Sequence, residues 1–408
     1  MTIDFSLTDT QKHVLGLAQE FGREVLFDAE VKLDRIGDAN ETAKSSIFWG
    51  ALSQAFELGF NRMAIPEPLG GLGLDPQTTG MVWEELARWA PGFAATLMPG
   101  AVVPQLISFL AGGNHDLVDR FVTPYTEDTT GRHITAWCSS EPEVGSDGSN
   151  YDDSKVHHHT TAVKKGDTYI LTGAKSDFVS NGGIANAYIV FACVDPSQGL
   201  KGSGTFVVPA DAPGVTRGRA LDKTGLRVLN QAPVMLDGVE VPAANLLFPH
   251  GESYPMLHNS IVTVGNLAVG YLAVGLMRAA YEHALQHSKD RVQWGRPIFE
   301  HQQVTKKLFE CHLAIEAARA YLWKGSWLSK QNFPGDLKTS LGAKILATEL
   351  AVKHTAEMVQ VLGGYGISRA YPVEKYARDA LLLRIMDGTN ETLMNKAAKH
   401  LEAESSGA

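Results

Sequence analysis

The apolar period of this chain changes twice, and that double change limits the folds open to it. Through about residue 130 the hydrophobic positions recur at helical spacing, from about Gly131 they alternate, and beyond Pro255 the helical period returns in much longer segments. One pattern cannot be laid over the other, because successive strand side chains face opposite ways while helical ones return to a face every three or four residues. The sequence therefore predicts an α+β multidomain chain with an N-terminal helical domain over 1–130, a central β-barrel or sandwich domain over 131–249 and a C-terminal four-helix bundle over 250–408. With 408 residues, 44% of them hydrophobic, two or three cores can be filled.

Within the first unit, residues 9–26, 46–58 and 78–90 read as amphipathic helices, the first capped by Thr8 or Asp9. Turn residues at 64–73 separate the second from the third, and 102–111 and 115–121 follow as helical scaffold. Short strands are expected at 134–138, 168–172, 187–193, 204–209 and 233–236, between Gly, Asp and Pro clusters. The last unit reads as four long helices, 256–291, 301–331, 336–362 and 373–385, which pack most simply up and down.

Composition narrows the partners. Net charge is -9 with 20% charged residues and no basic run, which argues against nucleic acid. The N-terminal MTIDFSLTDTQ carries acids where a signal peptide needs positive charge, and no stretch of about 18 residues is apolar without interruption. A cytoplasmic chain with no membrane span is expected. Cys138, Cys193 and Cys311 are odd in number and far apart, as free thiols would be. His157, His158 and His159 have no Cys or second His pair at ligand spacing, so no metal is expected and the run reads as a solvated strand or loop edge.

Residues 359–391 hold the densest signals. Gly363, Gly364 and Gly366 interrupt a helical pattern and let backbone approach a flat or charged ligand. Pro372 presets a helix start, the helix carries Arg378 and Asp379, and it ends at Asp387, Gly388 and Thr389. Taken singly these are a turn, a surface ion pair and a helix stop. Taken in order, Gln360, LGGYG, YPVEK, RDA and DGTNE resemble the C-terminal signature of the acyl-CoA dehydrogenase family. The IPEPLGGLG loop at 65–73, the DGVEVP element at 237–242 and the helical, β, helical order resemble it too, so the likeness covers nearly the whole chain.

The resemblance implies FAD, an acyl-CoA substrate, an electron-transfer flavoprotein as acceptor and a homodimer or homotetramer; since no cysteine or histidine sits where attachment would be expected, the FAD is expected to be noncovalent. Residues 137–147, WCSSEPEVGSD, are similar to the family's TEPxxGSD loop: Trp137 precedes it, Ser140 replaces its Thr but keeps the flavin-binding hydroxyl, and Ser146 lies near flavin and thioester. Residues 173–182 resemble GxKxWITN, with Phe178 for the Trp that covers the flavin, Ser180 for the Thr at N5, and one extra residue before Asn181. A buried strand Phe beside a solvent-facing Ser is the ordinary alternative there. Residues 291–297, with His301 and Gln302 after them, resemble RxxFG…Q. The family uses that arginine and aromatic, here Arg291 and Trp294, on the FAD of a neighbouring subunit, together with Gln302, Gln360, Gly363 and Gly364. A planar guanidinium and a bare glycine backbone both suit a pyrophosphate. Thr389 and Glu391 complete the implied cofactor set.

Most family members carry a Glu before the Gly-Thr of the last motif, where it removes the α-proton of an acyl thioester as the β-hydrogen leaves as hydride to flavin N5. Here that residue is Asp387. A second group takes its Glu from the position occupied here by Gly265, and Asn266 stands where many members carry Arg. Ser146, Asn266 and Gly388 are the implied substrate contacts. Asp retracts the carboxylate by roughly 1.5 Å, and misplacement of about 1 Å can cost on the order of a hundredfold in rate. Three outcomes stay open: an acyl-CoA dehydrogenase forming a 2-enoyl-CoA with Asp387 as base, a nitroalkane oxidase-like flavin oxidase of a more acidic carbon acid, and a non-catalytic partner subunit of a heteromeric dehydrogenase.

Overall fold

In a computed structural model that describes residues 6–405 other than 112 and 152, helices and their connecting loops run from Asp9 to Glu127, a mixed sheet follows, and long helices come after it. Residues 1–5 of the acid-bearing N-terminal stretch lie outside the described residues. Helix α1 (Asp9–Phe21) opens on a capping box, Thr8 Oγ1 accepting from the Gln11 amide at 3.2 Å while Gln11 Oε1 accepts from the Thr8 amide at 3.0 Å. It does not stop near 26. A π-helical turn at Gly22–Leu26 carries it into α2 (Phe27–Ile36), because Leu26, Ala29 and Leu33 continue the buried stripe. There follow α3 (Ala39–Thr42), α4 (Ser46–Glu57), α5 (Pro76–Trp89), α6 (Pro91–Gly100), α7 (Val102–Leu110), α8 (His115–Leu117) and α9 (Thr123–Glu127). Helix α6, PGFAATLMPG, went unforeseen because it is apolar all round and shows no periodic stripe.

The strands are β1 (Thr135–Cys138), β2 (Thr161–Lys165), β3 (Thr168–Lys175), β4 (Ala187–Cys193), β5 (Ser203–Pro209), β6 (Val215–Arg217), β7 (Val234–Pro242) and β8 (Leu246–Phe248). Their order is β6-β7-β3-β2-β4-β5-β8, with β1 parallel to β4. The link between β2 and β4 is one residue pair, Thr161 with Cys193, so the sheet consists of two four-stranded parts. Those parts pack on each other, as the 5.0 Å contact between the rings of Tyr169 on β3 and Phe206 on β5 shows. Strand β4 is buried along its whole length. Tyr188, Val190 and Ala192 join the core between the two parts, while Ile189 and Phe191 join the helical core.

The C-terminal helices are α10 (Tyr254–Asp290), α11 (Gln302–Gln331), α12 (Leu337–Leu362), α13 (Val373–Leu383) and α14 (Asn390–Ser405), with a small hairpin of β9 (Val292–Gln293) and β10 (Arg296–Pro297) after the first. Helix α10 is shared between units. It packs on α11, α12 and α13, and also on α5, so closely that a Cβ at Gly275 would stand 2.2 Å from the Glu84 carbonyl oxygen. The stretches Pro91–Leu110 and Tyr254–Asp290 are long and apolar enough to cross a membrane, but 56% and 67% of their apolar windows are buried inside the fold, where they serve as core helices.

Two local expectations are corrected. His158 is not a solvated edge residue: it is 2% exposed, with Nδ1 2.8 Å from Ser203 Oγ. Arg378 and Asp379 are not a surface pair either. Arg378 reaches Asp34 and Glu374, while Asp379 is fully buried against Lys375, since adjacent helical residues point to different sides.

Candidate active site

The helix bearing Arg378 ends at Leu383, earlier than the sequence suggested, and a turn carries the chain to α14. Asp387 sits in that turn at a left-handed φ of 51°, a conformation that costs most non-glycine residues but that Asp tolerates. Two buried side chains grip the backbone here. Asn266 Nδ2 on α10 donates to the Asp387 carbonyl at 3.3 Å, and Lys344 Nζ on α12 donates to the Gly388 carbonyl at 2.9 Å. A Cβ built at Gly265 would lie 2.9 Å from Asp387 Oδ2. The two positions at which the family resemblance places a base thus face each other, and the missing side chain at 265 is the notch that receives the Asp387 carboxylate.

Asp387 is open to solvent, while the protein packed around it raises its pKa above the ordinary Asp value and the Lys344 charge pulls the other way. Such a carboxylate can accept a proton from a ligand that reaches its exposed side. Asn266 is fully buried; its Nδ2 also reaches the Val262 carbonyl, and its Oδ1 has no hydrogen-bond partner among the described residues. Thr389 Oγ1 lies 3.1 Å from Thr392 Oγ1, and Glu391 is exposed on the first turn of α14.

A second group forms at the end of β1. Trp137 packs on Phe191 of β4 with ring centroids 4.5 Å apart, and Ser140 and Ser146 are exposed in the loop that follows. Beneath that loop Glu141 and Lys175 are both buried and paired at 2.6 Å, and Glu141 also accepts from the His159 and Thr160 amides. Burial works to raise the Glu141 pKa, but the Lys175 charge and the hydrogen bonds it accepts outweigh that and hold it low. The Ser176 amide donates to the Ser140 carbonyl at 3.0 Å, which joins this loop to the segment bearing Phe178 and Ser180. Phe178 is 65% exposed, which rules out the buried-strand alternative. Gln231 Nε2 holds its carbonyl at 3.1 Å and Ser180 Oγ at 3.3 Å.

The third group stands apart. The Arg291 guanidinium lies 5.4 Å over the Tyr365 ring, next to Gly363 and Gly364, where an added Cβ would meet no atom of the described residues within 4 Å. Gln302 and Gln360 are exposed, and Trp294, at the hairpin tip, is 94% exposed. Arg291 follows Asn266 by 25 residues on and just past one unbroken helix, about 37 Å at about 1.5 Å per residue. One chain therefore does not bring the Arg291 group to the carboxylate.

Comparison with known proteins decides the family. Residues 8–128, 136–239 and 258–402 match the N-terminal, middle and C-terminal domains of acyl-CoA dehydrogenase. The short-chain specific acyl-CoA dehydrogenase of Megasphaera elsdenii is 32% identical over 400 residues, 95% of this chain and 97% of that one. The chain belongs to the acyl-CoA dehydrogenase family. Among solved structures, butyryl-CoA dehydrogenase from the same organism aligns with a TM-score of 0.88 at 32% identity, covering 98% of this chain and 100% of that one. A chain described as electron transferring flavoprotein of Acidaminococcus fermentans, in connection with flavin-based electron bifurcation, aligns at 0.87 and 30% identity over 98% and 99%. This acyl-CoA dehydrogenase is an FAD-dependent oxidoreductase acting on CH–CH bonds.

Its surface fits the flavin. Two exposed serines, an exposed aromatic whose backbone is pinned, and a bare glycine backbone beside a guanidinium answer the needs of a ring system and a pyrophosphate. Lys344 and the Glu141–Lys175 pair were not singled out as site residues in the sequence. A signal for the first existed: Lys344 stands on the stripe Ser340, Lys344, Ala347, Ala351, Thr355, Met358, all of it buried. A lone lysine on such a stripe must be doing something for its surroundings.

Proposed function

We propose that Asp387 is the base of this dehydrogenase: a carboxylate oxygen takes the α-proton of an acyl-CoA, the β-hydrogen departs with its electron pair, and a C=C bond forms between the two carbons. The observation that carries this reading is an accessible carboxylate, of raised pKa, seated against the bare backbone of Gly265. Bound FAD supplies the acceptor for the hydride. Ser140, Ser146, Phe178 and Ser180 would hold its ring end, with Trp137 behind them, and Thr389 and Glu391 flank the base.

The separation of the Arg291 group from Asp387 supports a flavin shared between two copies of the chain, with Arg291, Trp294, Gln302, Gln360, Gly363 and Gly364 serving the neighbour. A homodimer or homotetramer follows from that sharing. An electron-transferring flavoprotein is the acceptor we infer, supported by the Acidaminococcus likeness. Three buried, free cysteines support a reducing compartment such as the cytoplasm.

Anaerobic addition of an acyl-CoA panel, beginning with butyryl-CoA, tests the reading through loss of flavin absorbance. Asp387→Asn should keep FAD and ligand binding and lose about 10²–10⁴-fold in reduction rate. Reduction at the wild-type rate would assign the proton to another group. A wild-type protein inert to every thioester but bleached by a nitroalkane would move it to oxidase chemistry.

A further inference from the structure

Lys344 is 0% exposed and lies on α12, bonded directly to the turn that bears Asp387. Its Nζ donates to the Gly388 carbonyl at 2.9 Å, the Arg384 carbonyl at 3.2 Å and Asn390 Oδ1 at 2.9 Å. These three acceptors use all three N–H groups of the ammonium, and all three are neutral. Among the described residues, the positive charge is therefore not cancelled by a carboxylate in contact. Asn390 is itself fixed, its Nδ2 donating to Thr348 Oγ1 at 2.9 Å and Glu349 Oε1 at 2.8 Å.

The charged groups facing Lys344 come from every element around it: Asp387 in the turn, Glu391 on α14, Glu349 on its own helix and Arg384 at the end of α13. Of these, Asp387 is the strongest influence on it and Arg384 the repulsive one. Arg384 is engaged elsewhere, pairing with Glu349 at 2.9 Å. From α10, the side facing the turn presents Gly265 and the neutral Asn266, so no second cation acts on the base from there.

We propose that Lys344 is a positioning residue for the base, fixing the left-handed turn at Asp387 and Gly388 through main-chain carbonyls and favouring the ionised carboxylate through its buried charge. This rests on the reading of Asp387 as base. Asn266 acts beside it: consecutive carbonyls, 387 and 388, are held by α10 and α12, so neither peptide plane can rotate without breaking a hydrogen bond from a buried side chain. Burial draws the Lys344 pKa down to about 8, which still leaves it a cation at neutral pH. The sign of its effect on the base is fixed: an ammonium nearby lowers a carboxylate's pKa, so its loss must raise it.

The test uses full-length, FAD-loaded protein and two variants, Lys344→Gln, which keeps donors without charge, and Lys344→Met, which keeps neither. The readout is solvent deuterium entering the α-carbon of butyryl-CoA by NMR as a function of pH, beside flavin content and the reductive rate. Both variants should retain FAD and move the acid limb of exchange upward by about one pH unit. Lys344→Met should also lose about ten- to a hundredfold in kcat with little change in KM, while Lys344→Gln keeps more of it through the Gly388 contact. An unmoved acid limb in the folded variants, with Asp387→Asn inactive, overturns the assignment of Lys344 alone. Exchange at the wild-type rate in Asp387→Asn overturns the base itself. Should neither lysine variant fold, Lys344 is a framework residue and the proposal falls.

Discussion

Gly265 decides where the base can sit. It lies inside α10, so replacing it by Ala should by helix propensity alone stabilise the fold by about 1 kcal/mol. The new methyl would lie 2.9 Å from Asp387 Oδ2, and the only cheap relief is for the carboxylate to swing out of its notch. Gly265→Ala should therefore raise or preserve the melting temperature and keep FAD while the reduction rate drops about ten- to a hundredfold. Unchanged turnover in that variant would show that the notch does not position the base. A pH profile probes the same residue. With its pKa raised by the desolvating protein packed around it, Asp387 becomes protonated at a higher pH than an ordinary Asp, so the acid limb of the rate should lie above the ordinary Asp range. At this scale the motif order exposed Asp387, but not what holds it. The Asn266 and Lys344 contacts join residues 121 and 44 positions apart, and spacing along a chain carries no record of such pairs.

At the scale of elements, the long periodic helices α10 to α13 were legible because each repeats its apolar stripe over many turns. The short strands β2, β6 and β8 were not, nor was α14, where polar surface dilutes the pattern. Contacts between elements were the least legible. Lys375 on α13 bonds Glu30 on α2 at 2.6 Å across 345 residues, and Asp379 at 2.5 Å on its own helix. Glu30 also accepts from the Gly92 and Phe93 amides at the start of α6, and Asp379 from the Leu226 amide, so one buried cluster ties three helices to a loop of the middle unit. Burial alone would depress the Lys375 pKa, but Asp379 and Glu30 outweigh it and raise it. A raised lysine pKa contributes stability in full below the unfolded value of about 10.4 and loses it only as pH climbs through the folded value, so the contribution of Lys375 is intact at neutral pH, while burial raises the Glu30 pKa. Lys375→Met would leave two buried carboxylates facing each other and should cost about 3–5 kcal/mol in denaturant unfolding. A loss below about 1 kcal/mol would mean that one carboxylate simply takes up a proton and the cluster adds little.

For the whole molecule, the order of helical, β and helical units was written in the hydrophobic period, and the structure has that architecture. What the chain cannot show by itself is a complete flavin site. The Arg291 group and the Asp387 group sit about 37 Å apart along α10, a separation fixed by helix rise. The hairpin after α10 holds Trp294 at a left-handed φ of 53° with 94% of its surface exposed, an arrangement that gains nothing within one chain. Both features make sense if the group reaches a second copy, where the guanidinium over Tyr365 and the open Gly363–Gly364 backbone meet a pyrophosphate. Flavin affinity and self-association then draw on the same contacts and must weaken together, because a ligand that spans two subunits stabilises their association by mass action. Arg291→Ala should accordingly lose FAD more readily on dilution, and sedimentation should show smaller species whose share shrinks again when excess FAD is added. Tyr365→Ala, which removes the ring supporting the guanidinium, should do the same to a lesser degree. A protein that runs as a monomer with full flavin occupancy, wild-type or variant, would place the entire cofactor within one chain and leave the exposed hairpin without this role.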